Sequence, residues 1–250
     1  MLNQLIRYLP IMDFIRRKQY KEVLEVGSGS NGIAKYLTNG YIVGCDISFA
    51  DYAERERQIN RNLIPVRGSA ESLPFKNGSF EIVVSSDMLE HVKSTVRENV
   101  IRELYRVANE MVFLIFPCGN EALESDRRLR KYYESKNRKV PRWLTEHLES
   151  SFPLEENISN VLNKNNFEYI IKNNENLIIH HLIMVLESLP SIERYLTRVA
   201  NLIVQEDFAR GSCPKRVYVI RFILRPVRYL IKYLNFGVTY RKIFIIKKKS

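Results

Sequence analysis

Gly27, Gly29 and Gly32 stand at the spacing G-x-G-x-x-G, and Asp46 lies 19 residues beyond Gly27. Glycines so placed let the backbone turn tightly and approach a ligand closely, and a carboxylate about 20 residues on can accept from ribose hydroxyls. This pattern fits nicotinamide, flavin and S-adenosylmethionine sites alike. Glu25, two residues before the first glycine, distinguishes them. A fixed carboxylate there repels a pyrophosphate over the turn and favours a ligand bearing an ammonium group, as the methionine end of S-adenosylmethionine does. Its alternative is structural, as acceptor for a nearby backbone amide. A second titratable group follows in SSDMLEH, where Asp87, Glu90 and His91 come within five residues.

The elements that must position these residues are legible around them. Val23, Leu24 and Val26 form a short apolar run into the glycine turn, and Ile33, Ala34 and Leu37 resume at helical spacing. YIVGCDIS, LIPVRGS, the near-continuous run FEIVVSSD and MVFLIFP supply four more strands. Helices are expected over residues 3–18, near 50–60 and over 94–109. Alternation of this kind predicts an α/β fold, a doubly wound, mostly parallel seven-stranded sheet of Rossmann-like type, whose ligands sit at the carboxyl ends of the strands. Gly27, Asp46, Ser69 and Asp87 fall at those ends. Strand six is expected at FEYIIKN and strand seven at RVYVIRFIL, residues 216–224, with helical segments between them.

VLEVGSGSNGIAKYL, VGCDIS, VRGSAESLPFKNGSFEIVVSSDMLEHV and FLIFPCG resemble successive motifs of the class I S-adenosylmethionine-dependent methyltransferases, over about residues 21–118. The likeness is greatest to the broad group with an LPF…LEH signature. It implies that Glu25 meets the methionine amino group directly or through water, and that Gly27, Ser28 and Gly29 line the turn beneath it. It further implies that Asp46 takes the ribose hydroxyls, Ile47 lies against the adenine, Ser69 and Ala70 sit at the adenine edge, and Ser86 lies near the methionine. The family usually carries Asp where this chain has Ser69, so the adenine amine meets a weaker, uncharged acceptor.

Methyl transfer from a sulfonium is an in-line displacement in which positioning is most of the work. A hydroxyl acceptor also needs a base. His91, with an ordinary pKa near 6.5, is the first candidate and Asp87 the second. The structural alternative is that SDMLEH starts a helix, with Asp87 as its cap. A metal site of Asp87, Glu90 and His91 is conceivable, because some hydroxyl-methylating relatives use a divalent ion, but the expectation is no metal. Cys118 reads as a loop residue, His180 and His181 as packing or pocket lining, and Trp143 and His147 as pocket lining or packing.

Composition bounds the rest. A chain of 250 residues, 45% hydrophobic and 27% charged, is long enough to bury a sizeable core. Its three cysteines, Cys45, Cys118 and Cys213, give neither a disulfide framework nor a zinc spacing, and there is no secretory leader pattern or long apolar run. A cytoplasmic protein is expected. Residues 1–207 carry 27 Lys+Arg against 28 Asp+Glu, whereas residues 208–250 carry 12 Lys+Arg and no acid. The expected organisation is a domain over residues 1–224, with substrate-lid insertions over about 119–153 and 174–214. A basic amphipathic tail over 225–250 would either lie on an anionic membrane surface, at the periphery of the cell membrane, or pack on the body of the domain with its lysine end in solvent. Together these imply methyl transfer to a small-molecule, saccharide or lipid-linked acceptor, most readily at oxygen. RNA docked on the tail, or a non-catalytic partner subunit that binds the cofactor, are the rival readings.

Overall fold

The structure is a computed structural model that describes residues 2–37, 41–49, 60–205 and 235–249. Its sheet has seven strands in the order β3-β2-β1-β4-β5-β7-β6. These are β1 Val23–Val26, β2 Ile42–Asp46, β3 Leu63–Arg67, β4 Phe80–Ser86, β5 Ala108–Pro117, β6 Glu168–Asn176 and β7 Thr239–Lys247. β1 to β5 run parallel, and β7 runs antiparallel between β5 and β6. The chain order reverses between β1 and β4, the switch point at which such sheets open a crevice for ligands.

Side chains alternate across the sheet with the period of a strand. Phe113 and Ile115 of β5 and Ile243 of β7 enter one core, with the apolar stripe of helix α1 (Leu2–Lys18) and Ile203 of α7 (Pro190–Gln205). Val112, Leu114 and Phe116, with Phe244, enter the opposite core against α2 (Arg97–Val107) and α5 (Glu155–Lys164). α1 continues through Pro10, which forfeits one backbone hydrogen bond, and burial of Leu5, Leu9 and Met12 holds the helix in place. Its first amides, of Leu2 and Asn3, donate to Glu187 at the end of α6 (Leu177–Glu187).

Among the described residues the expected insertions are largely helical. α3 (Gly119–Ser135) and α4 (Arg142–Glu149) follow β5, and α3 packs on both α4 and α6. After the glycine turn the chain makes a 3-10 turn, Gly32–Lys35. The helix expected near residues 50–60 and the strand expected at 216–224 lie almost wholly or wholly outside the described residues.

The C-terminal boundary is corrected by the sheet itself. The place next to β5 and β6 is held by Thr239–Lys247, nine residues assigned from the sequence to a tail beyond the domain. Ile243, Phe244 and Ile246 are buried there, so this segment is core strand and not a surface arm. Residues 225–234 lie outside the described residues. Among the described residues no helix is long and apolar enough to cross a membrane.

Candidate active site at the carboxyl edge of the sheet

The glycine turn leaves β1 with Gly27 at φ +80° and Gly29 at φ +53°. A side chain at Gly27 would also strike Met88, its Cβ only 2.5 Å from the Met88 Cγ. Asp46 supports the turn from the end of β2, accepting the Gly29 amide at 2.9 Å and the Ser48 amide at 3.0 Å. Each carboxylate oxygen retains a second lone pair for a ligand hydroxyl. Ile47 beside it is 67% exposed, an apolar surface at the sheet edge where a flat ring can lie. Ser28 is buried, Ser69 is exposed and Ala70 half-buried. Ser86, at the end of β4, is buried with its hydroxyl lacking a hydrogen-bond partner. The tight glycines, the half-free Asp46, the bare Ile47 and the unsatisfied Ser86 fit a nucleoside bearing an amino-acid arm.

Glu25 shows the structural role offered as its alternative, accepting a backbone amide. It is fully buried, with one oxygen accepting from the Tyr8 hydroxyl at 2.7 Å and the other from the Ile33 amide at 2.6 Å. Burial pushes its pKa up to about 7 against these hydrogen bonds. A side chain at Gly32 would run into the Glu25 carboxylate, and Gly32 itself sits at φ +48°. Glu25 therefore ties α1 and the glycine turn together from beneath, which is that structural role.

Asp87 leaves its expected role as a base. At φ +48°, its carboxylate receives a fork from Arg241, with Nε at 2.8 Å and Nη2 at 2.7 Å, and is ion-paired to Arg7. Burial alone would raise its pKa, but Arg241 and Arg7 hold it well below the usual carboxylate range. Arg241 continues to Glu175, which pairs with His180 at 3.0 Å; the His180 ring stacks on Tyr240. His180 is thus buried packing. Cys118, between β5 and α3, is buried, and that burial pushes its thiol up to about 11.

His91 lies in the 3-10 turn Leu89–His91 with its side chain 39% exposed, and α4 lays His147 beside it, ring centroids 5.2 Å apart. Between them lies Glu90, fully enclosed, and neither of its oxygens has a hydrogen-bond partner. One Glu90 oxygen is 3.7 Å from His147 Nε2 and 4.0 Å from His91 Nε2. His147 Nδ1 meets Asp126 of α3 at 2.9 Å, and the Tyr240 hydroxyl donates to the same carboxylate. Arg97, at the start of α2, ties the turn carrying His91 to the segment after α4 by donating to the Val92 and Ser151 carbonyls.

The electrostatics follow from this enclosure. Burial raises Glu90 to about 8, with the charge of Asp87 adding to the rise. Burial pulls His147 down, but the Asp126 hydrogen bond and the nearby carboxylates outweigh it and the net shift is upward. Burial, and then the charge of His147, lower the His91 pKa below its ordinary value. Glu90 and His91 are adjacent in sequence, but no local spacing announces His147, which only the packing of α3 and α4 brings to them.

Residues 24–116 match a family model described as a methyltransferase domain. Norajmaline N-methyltransferase of Rauvolfia serpentina is 27% identical over 116 residues, 43% of this chain and 39% of that protein. Glycine/sarcosine/dimethylglycine N-methyltransferase of Actinopolyspora halophila is 34% identical over 104 residues, 38% of this chain and 18% of that protein. The matched segments therefore span well under half the length of these curated relatives. Among solved structures, an S-adenosylmethionine-dependent methyltransferase of Thermotoga maritima, a possible histamine N-methyltransferase, aligns over 99% of this chain and 92% of its own. Its TM-score is 0.53 at 16% identity, a likeness of fold.

Proposed function

We infer that this chain, whose residues 24–116 are a methyltransferase domain in a class I, S-adenosylmethionine-dependent fold, methylates an oxygen of a small-molecule, saccharide or lipid-linked acceptor. The observation that carries this reading is the Glu90–His91–His147 cluster at the edge of β4. Glu90 and His91 follow Met88, the residue that abuts Gly27, so the cluster adjoins the glycine turn. A hydroxyl is a poor nucleophile until it sheds its proton, and this is where the fold gathers groups able to receive or displace one.

S-adenosylmethionine, when bound, supplies a methyl on a sulfonium, a leaving group that needs no acid. The chain's own part is positional. Asp46 would hold the ribose hydroxyls, Ile47 would lie against the adenine, and Gly27 and Gly29 would let the backbone approach the amino-acid arm. Ser69, with Ala70, would meet the adenine edge, and the Ser86 hydroxyl, buried without a partner, would serve the methionine portion. α4 sets His147 against the enclosed Glu90, while His91 stays open to an acceptor. The basic residues of 208–250 that lie outside β7, with no acid among them, support an acceptor carried on, or tethered to, an anionic surface.

A second reading has a specific support. Both curated relatives are named N-methyltransferases, and the enclosed, unpartnered Glu90 suits an ammonium acceptor. Calorimetry with S-adenosylhomocysteine, with NADH as control, tests the cofactor. Micromolar binding of the first alone is expected, and binding of NADH alone would overturn the reading. Asp46→Ala should weaken S-adenosylhomocysteine at least about tenfold, the loss of a charge-assisted pair of hydrogen bonds, and unchanged affinity refutes the ribose assignment. Methyl incorporation into matched hydroxyl and amine acceptors then separates oxygen from nitrogen.

A further inference from the structure

We propose that Glu90, His91 and His147 form a binding site for a divalent transition-metal ion of the zinc or iron class, with its open side toward the acceptor. One ligand atom from each of the three residues lies within 4.8 Å of the others. In a tetrahedral zinc site with bonds near 2.0–2.1 Å the donors stand about 3.3 Å apart. The 3.7 and 4.0 Å from Glu90 to the two histidines therefore close by small side-chain rotations. Two imidazoles and one carboxylate are the donor set of catalytic zinc and non-haem iron centres, which leave coordination positions open. Magnesium, which favours oxygen donors, suits it poorly.

Two further observations point to a ligand here. Glu90 has both carboxylate oxygens buried and without a hydrogen-bond partner, an arrangement costly to maintain unless something is bound between them and the rings. His147 is oriented from behind as metal-binding histidines are. Its Nδ1 is taken by Asp126 at 2.9 Å, Asp126 is held in turn by the Tyr240 hydroxyl at 2.9 Å, and Nε2 is left facing Glu90. Asp87, the third ligand suggested by sequence proximity, is excluded by its fork to Arg241 and its pairing with Arg7, and His147 takes that place.

This inference rests on the methyltransferase reading only for its use, since the site stands on the side chains alone. An ion held there lowers the pKa of a hydroxyl approaching its open side. The hydroxyl proton passes to solvent, the oxygen lone pair forms the new C–O bond, and the electron pair of the broken C–S bond stays on sulfur. His91 then acts as a ligand and not as a free base.

The test uses the full chain, stripped with chelator and titrated calorimetrically with Zn2+ in the absence of cofactor or acceptor. Co2+ serves as a spectroscopic probe. One ion per chain is expected, with Co2+ bands of low coordination number. His91→Ala, at an exposed position that leaves the core intact, and Glu90→Gln should each weaken Zn2+ binding by about 100-fold or more while S-adenosylhomocysteine affinity is retained. Tyr240→Phe, which acts through Asp126, should weaken it by about 10- to 100-fold. Absence of Zn2+ binding overturns the site, as does equal affinity in wild type and His91→Ala. S-adenosylhomocysteine binding without Zn2+ binding rejects the metal alone. Zn2+ binding without S-adenosylhomocysteine binding rejects the methyltransferase reading and leaves the site standing.

Discussion

Two carboxylates at the ends of neighbouring strands are driven in opposite directions, and the difference is their partners. Asp87 meets two guanidinium groups and stays charged, whereas Glu25 meets a hydroxyl and one amide, which do not repay its full desolvation. Glu25 loses its proton near its ordinary 4.5 in the unfolded chain and near about 7 in the fold, so folding takes up a proton between those values. Its stabilisation is complete below pH 4.5 and is lost as pH rises through 7, a swing of about 3 kcal/mol. Glu25→Gln keeps an acceptor for the Ile33 amide and removes the titration. Urea unfolding of the ligand-free protein should show wild-type stability falling from pH 5 to pH 7.5 relative to Glu25→Gln, and parallel pH profiles would refute the assignment. The carboxylate's position before the glycines was readable in the sequence. Its direction was not, because Tyr8 reaches it from a helix 17 residues away.

At the level of elements, the sheet depends on β7. Arg241, on that strand, neutralises Asp87 after β4 and Glu175 on β6, so one side chain joins three elements beneath the site. Arg241→Met should cost about 3–5 kcal/mol in urea unfolding, because it leaves buried charge uncompensated. Arg7→Met should cost less, since Arg241 still covers Asp87; equal losses would contradict this order. β1 to β5 were legible because each is a short apolar run ended by a turn or a charged helix. β7 was not, because RVYVIRFIL and TYRKIFIIK have the same apolar, β-branched and aromatic make-up. Only pairing with β5 and β6 distinguishes a strand from a tail. The site shows the same division. Asp46 and His91 stand in local motifs, whereas His147 lies 56 residues from His91 and arrives by helix packing.

Over the whole molecule the charge is divided, −1 across residues 1–207 and +12 across residues 208–250. Part of that excess is engaged in the fold. Arg241 is in the buried network, Lys242 pairs with Glu155 at 2.9 Å, and Lys248 lies 4.1 Å over the Tyr105 ring. If the remainder docks the protein on an anionic surface, sedimentation with vesicles rich in anionic lipid should fall between about 0.1 M and 1 M salt, as the screening length shrinks from about 10 to about 3 Å. Sedimentation that ignores salt, or none at either, rules that docking out. The position of β7 also sets a timetable for biosynthesis. β5 ends at Pro117 and its neighbour begins at Thr239, 122 residues later. At about 5–20 residues per second, the ribosome leaves the open edge of β5 unpaired for roughly 6–24 s. Through that interval the nascent chain carries a buried-type apolar strand with a free row of amides and carbonyls, the geometry that recruits other strands. Translation speed between codons 117 and 247, and the chaperones that shield this stretch, therefore govern how much of the protein reaches its native sheet.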